Sequence, residues 1–133
     1  MKDLRIRDVM ERDVFCVTPD MDVKQFVAEC VRRKITGAPV IDSDQLLVGL
    51  ISLSDVAASL AFPRPEDDGR VQTIMTRHVH TVEAGMRVKV AVDLFRQHRI
   101  HRLVVTYHNQ VLGLVSPIDL LGLTPSEHES VKF

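Results

Sequence analysis

The stretch Gly49-Leu50-Ile51-Ser52-Leu53-Ser54-Asp55 returns later in the chain as Gly113-Leu114-Val115-Ser116-Pro117-Ile118-Asp119. Each version runs from an apolar, β-branched segment into a serine, with an aspartate three residues on. That is the pattern of a strand handing over to a capped helix. Working outward, a shift of 65 residues carries Met10 onto Met75, Arg12 onto Arg77, Val14 onto Val79 and Val17 onto Val82. The same shift matches Met21 to Met86, Val23 to Val88, Lys24 to Lys89, Val27 to Val92, Ile35 to Ile100 and Val40 to Val105. Gln45 and Leu47 meet Gln110 and Leu112, and one residue is then dropped beside a hairpin loop, where length changes are tolerated. The chain is a duplication, and a repeat of this length sets the reading of the whole fold.

Each copy reads as strand, helix, strand, strand, helix. Val14-Phe15-Cys16-Val17 and Val79-His80-Thr81-Val82 are the expected first strands. Val23, Phe26, Val27, Cys30 and Val31 then recur with helical spacing on one stripe, behind Asp22 as cap and Gln25 as the reciprocal partner of a capping box. The second copy keeps the stripe in Val88, Ala91, Val92 and Phe95, but Arg87 stands at the cap, so that helix starts less firmly. Gly37 is expected to make the turn after the first helix. The hairpins follow, Pro39–Ile41 with Leu46–Ile51 around Asp42-Ser43-Asp44-Gln45, and Leu103–Val105 with Val111–Val115 around His108-Asn109. The expected fold is α+β, two pseudo-symmetric β-α-β-β-α repeats packed as one domain. The boundaries are 4–61 for the first repeat, 62–69 for a Pro- and acid-rich linker, 70–123 for the second repeat and 124–133 for a frayed polar tail.

Composition narrows the function. Of 133 residues, 17 are basic and 18 acidic, giving a net charge of −1 with no Lys/Arg-rich run, which argues against nucleic acid as a partner. No run of apolar residues is long enough to cross a membrane, and the charged start Lys2-Asp3-Leu4-Arg5 does not read as a signal peptide, so the expected location is cytoplasmic. Two cysteines, Cys16 and Cys30, are too few for a disulfide framework or a zinc site. The histidine pairs His98/His101 and His78/His80 each lack a third ligand at suitable spacing, so no metal is expected. Nucleophile-elbow, P-loop, dinucleotide-fingerprint and zinc-protease motifs are absent, and the chain is read as a non-enzyme.

The order of elements, the duplication and the two Gly-x-x-Ser-x-x-Asp segments resemble a tandem cystathionine-β-synthase (CBS) domain pair. Val9-Met10 and Ile74-Met75, Val17-Thr18-Pro19-Asp20, Gly37-Ala38-Pro39-Val40-Ile41 and Ile100-His101-Arg102-Leu103-Val104-Val105 carry the resemblance over residues 4–122. It implies a stand-alone regulatory module that binds an adenine nucleotide in clefts between the repeats and signals to an effector protein. It implies ribose-reading aspartates at Asp55 and Asp119, phosphate-facing serines at Ser52 and Ser116, and basic phosphate contacts at His101 and Arg102. The base is then held by segments containing Cys16, Thr18, Ala38 and Pro39, with Thr81 and Val104 as counterparts. The family also implies a homodimer built through helices, which suits the apolar run Val56–Phe62 and the similar Leu120–Leu123.

The chemistry of these residues agrees. A helix N-terminus presents free N–H groups to phosphate, and a carboxylate can accept from two vicinal hydroxyls. The scarcity of further basic residues favours AMP over ATP. The same Ser/Asp pairs also fit plain capping boxes, and His101 and Arg102, read as ending a helix, also suit its dipole. The alternatives therefore stay open: a ligand-free dimerisation module, or a binder of S-adenosylmethionine or a magnesium–nucleotide complex. Pro39 opposite Val104 in the alignment predicts two unequal clefts.

Overall fold

The computed structural model describes residues 3–121; the expected tail and the last two residues of the second repeat lie outside them. The chain divides into two compact units, Phe15–Val79 and Met1–Val14 together with His80–Phe133.

In the unit Phe15–Val79, helix α2 (Val23–Arg33) leads to an antiparallel hairpin of β1 (Gly37–Ile41) and β2 (Leu47–Ser52), followed by α3 (Leu53–Ala61) and the one-turn α4 (Val71–Ile74). Phe26 and Cys30 of α2 pack with Val40, Ile51, Val56, Val71 and Met75 in one apolar core. Asp22 caps α2 by accepting from the N–H of Lys24 (2.8 Å) rather than from Gln25. The left-handed residue that ends α2 is Lys34 (φ 57°), and Gly37 instead opens β1 opposite Ser52, which corrects the turn expected at that glycine.

The other unit repeats the plan. The strand β3 (Thr81–Glu83), helix α5 (Val88–His98), the hairpin of β4 (Leu103–Tyr107) and β5 (Gln110–Val115), and a closing 3-10 helix (Pro117–Leu121) follow in order. Arg87 makes no side-chain cap, as its chemistry dictates. Both residues of the β4–β5 turn, His108 (φ 48°) and Asn109 (φ 62°), are left-handed, which matches the twist of a two-residue hairpin. Arg99 (φ 51°) stops α5, so His101 and Arg102 lie on the connection to β4 and do not end the helix. The last helical turn holds Arg96 and His98 instead.

The units are offset from the sequence repeats. Helix α1 (Ile6–Val9) belongs to the first repeat by sequence, but Ile6 is fully buried with Val82, Val88, Leu103 and Val115 of the second. Glu11 bridges Leu114 there, and Met10 lies against Gly113. Reciprocally, α4 from the start of the second repeat buries Val71 and Met75 in the core of the first, with Thr76 bridging Leu50 and Met75 lying against Gly49.

The expected first strand, Val14–Val17, shrinks to a single parallel bridge, Val17 to Val40. Val17 N–H donates to the Pro39 carbonyl (3.0 Å), and Ile41 N–H donates to the Val17 carbonyl (2.9 Å). Extending this parallel ladder either way needs the amides of residues 39 and 19, and both are prolines. The matching positions in the second repeat are Val104 and Ala84. There the Val104 N–H reaches the His80 carbonyl (3.4 Å) and a three-residue parallel pairing forms.

Candidate functional site

The residues expected to hold a ligand fall into two sets, one within each unit. In Phe15–Val79, the Val17–Val40 bridge lays Cys16–Thr18 beside Ala38 and Pro39. The pairing of Gly37 with Ser52 places the start of α3 at the same end of the hairpin. Ser52 N–H donates to Asp55 Oδ2 (2.8 Å), the Ser52 hydroxyl contacts the same oxygen (3.1 Å), and Asp55 N–H donates to Ser52 Oγ (3.2 Å). This is a closed capping box. Both bonds to the Asp55 carboxylate use Oδ2, and Oδ1 lies outside the box. Ala38 is fully buried and can only shape a wall, whereas Thr18 is exposed and its hydroxyl donates to Asp20 (2.7 Å). Cys16 is half-buried, and burial pushes its thiol up from the ordinary value, so it stays protonated at neutral pH.

In the other unit, Thr81 pairs with Val104 and Leu103 pairs with Val115. The residues flanking that last rung are Arg102 and Ser116, so the antiparallel register sets them opposite each other. The equivalent of Arg102 in the first repeat is Gly37, which faces Ser52. The register therefore sets an arginine position across from one serine–aspartate box and a glycine across from the other. Ser116 N–H (2.8 Å) and its hydroxyl (3.0 Å) both go to Asp119 Oδ2, while Asp119 N–H donates to the Ser116 carbonyl (3.0 Å). The Asp119 N–H thus closes on the serine carbonyl, where the Asp55 N–H closes on the serine hydroxyl. Val104 is fully buried, and His101 is exposed beside Arg102.

Two further contacts were not singled out from sequence. The Arg33 guanidinium lies over the Phe15 ring, and the His80 and His98 rings stack. The signal was present: the 65-residue shift carries Phe15 onto His80 and Arg33 onto His98. A cavity of about 470 Å³ lies elsewhere in the first of these units, lined by Val23, Val56, Leu60 and Ile74 with Lys24, Asp68 and Arg70 among its polar walls, and it includes none of the expected ligand residues. Among the described residues no group of three or more His, Cys, Asp or Glu side chains could hold a metal, and no helix is long and apolar enough to cross a membrane.

A family model for the CBS domain matches residues 6–61 and again residues 71–125. The chain belongs to the CBS-domain family. Among solved structures, the CBS domain pair of protein MJ0100, in complex with 5-methylthioadenosine and S-adenosyl-L-methionine, superposes with a TM-score of 0.81 at 21% identity, covering 94% of this chain and 98% of that one. CBSX2 in complex with AMP gives a TM-score of 0.79 at 23% identity, covering 96% and 98%. At such identities these likenesses establish the CBS-pair fold. An uncharacterized protein of Methanocaldococcus jannaschii, MJ1232, is 28% identical over 121 residues, which is 90% of this chain. The chain spans 39% of that relative's length.

Proposed function

We propose that this CBS pair is a regulatory module that binds an adenine nucleotide, works as a homodimer in the cytoplasm, and passes the signal to an effector protein without catalysing a reaction itself. The observation that carries the reading is the register of β4 and β5. It sets Arg102 opposite Ser116, with Asp119 bonded to that serine and Thr81 and Val104 on the adjoining strands. An anion, a diol and a flat apolar group are the three things this set can meet at once. Structures of similar fold hold AMP, methylthioadenosine or S-adenosylmethionine, which is the same ligand class. The set with Asp55 has the carboxylate and the strand floor but no guanidinium at the matching rung, so it is the weaker site for a phosphate.

Exposed Leu60 (79%) and Phe62 (78%) at the end of α3 support self-association, because a short helix in a small domain normally turns such residues inward. A second reading is a ligand-free dimerisation module. It is favoured by the Ser52–Asp55 box, whose bonds are already satisfied internally.

Calorimetric titration with AMP, ADP, ATP and S-adenosylmethionine decides between them, repeated on Asp55→Ala and Asp119→Ala. Saturable binding that is lost in Asp119→Ala and retained in Asp55→Ala is the expected result. Absence of heat with all four ligands, and of any melting shift, refutes the nucleotide reading and leaves the dimerisation module.

A further inference from the structure

Two different chemistries occupy the same pair of positions in the two repeats. In the unit Phe15–Val79 the Arg33 guanidinium carbon sits 3.9 Å from the Phe15 ring centroid. In the other unit, at the matching positions, the His80 and His98 rings stack with centroids 4.2 Å apart and planes 28° from parallel. Each pair joins the last turn of a long helix, α2 or α5, to the residue just ahead of the ligand segment. We propose that Arg33 and His98 are positioning residues that pin the lead-in of each ligand segment, at Phe15 and His80, to the helix end. The proposal rests on the nucleotide reading above.

The need for such a pin follows from the ladder. In the second repeat the His80 carbonyl receives the Val104 N–H, so the backbone already holds the segment before Thr81. In the first repeat the matching donor would be Pro39, which has no N–H. The backbone bonds from the segment carrying Cys16 and Thr18 to β1 run through Val17, and the contact at Phe15 is a tie on the N-terminal side. Arg33 is itself oriented, since its Nε donates to Glu29 Oε2 at 2.8 Å. A cation fixed over a half-exposed ring shifts the closed population by about two- to fivefold. Because the second repeat has both ties, removing His98 should matter less than removing Arg33.

The test uses the full chain and a readout that needs no ligand. Cys16 is half-buried one residue after Phe15, and Cys30 is 1% exposed, so iodoacetamide labelling followed by peptide mass analysis reads the segment against an internal control. Arg33→Gln is expected to raise Cys16 labelling about two- to fivefold with Cys30 silent and the melting midpoint nearly unchanged, and Arg33→Lys is expected to restore protection. His98→Ala is expected to speed deuterium exchange over Thr81–Glu83 by a smaller factor. The double change His80→Phe with His98→Arg, which transplants the other repeat's pair, is expected to reverse that. AMP affinity should fall in step with the opening of Thr81–Glu83 in His98→Ala, and change little in Arg33→Gln, whose segment belongs to the set with Asp55.

Unchanged Cys16 labelling in Arg33→Gln overturns the proposal, and so does labelling of Cys16 and Cys30 together, which reports general loosening. Failure of the wild type to bind AMP refutes the nucleotide reading alone, since Cys16 labelling still decides whether Arg33 holds the segment.

Discussion

A methyl group added at Gly113 should release the leading segment of the chain from its core. An ideal Cβ at that position would lie 2.7 Å from the Glu11 carbonyl oxygen and 2.9 Å from Met10 Sδ. The methionine tip can turn aside, but the carbonyl is backbone, and it accepts the Leu114 N–H (2.9 Å) while Glu11 N–H donates to Leu114 (2.8 Å). Gly113→Ala therefore strains or opens both bonds of that bridge. Overpacking of this kind costs about 1–3 kcal/mol, and two weakened backbone bonds add about 1–2 kcal/mol. A total of about 2–5 kcal/mol is a large share of a stability of about 5–15 kcal/mol, and lowers the melting midpoint by roughly 6–20 °C for a chain of this size. Gly49→Ala is the internal comparison. There the nearest atom is Met75 Sδ at 2.6 Å, a flexible side-chain atom, and the backbone contact, to Thr76 O, is longer at 3.0 Å. It should cost less. Calorimetric melting of both variants, with exchange of the Leu114 amide, tests the reasoning. A Gly113→Ala protein that melts within a degree or so of wild type, or that is hurt less than Gly49→Ala, refutes it.

Ser52→Ala removes the acceptor of a closed box and should cost about 1 kcal/mol. Ser116→Ala should cost less, because Asp119 N–H bonds the Ser116 carbonyl rather than its hydroxyl; urea melts of the two variants read the difference. Glu29 is held below the usual carboxylate range by hydrogen bonds from Arg33 first and Arg32 second. A depressed pKa contributes stability above the unfolded value of about 4.3, lost as pH falls through the lower folded value. The melting gap between wild type and Glu29→Gln should therefore be present at pH 7 and close in that acid range. Leu60→Asp with Phe62→Ser should shift sedimentation toward monomer while leaving AMP binding intact. A ligand at about 100 times its dissociation constant should stabilise the wild type by about 2.7 kcal/mol, seen as a higher melting midpoint.

Much of this architecture was legible in the residues. The stripe on Val23, Phe26, Val27 and Cys30, the hairpins and the Ser/Asp handovers are local patterns, and local patterns survive reading in one dimension. What escaped depends on register or on a partner far along the chain. Only the pairing of Val17 with Val40 reveals that the prolines at 19 and 39 fall on the two donors the ladder needs. Lys34 and Arg99 accept left-handed conformations usually given to glycine, so Gly37 drew the turn toward itself. A four-residue helix with one buried residue, Ile6, carries no signal of which core it enters. In the site, the box pairs were visible, but the place of Arg102 across from Ser116 emerged only from the β4–β5 register.

The reciprocal lodging of α1 and α4 also bears on what half of this molecule could be. A chain cut in the linker would free a first half whose core lacks Val71 and Met75 and whose own Ile6 has lost its burial place. A lone copy of the repeat would face the same deficit, and two such copies could relieve it only by exchanging leaders. Tandem duplication turns that exchange from an encounter between molecules into one within a chain, at effective concentrations on the order of millimolar. The unit of inheritance in this sequence and the unit of folding are therefore not the same piece of chain.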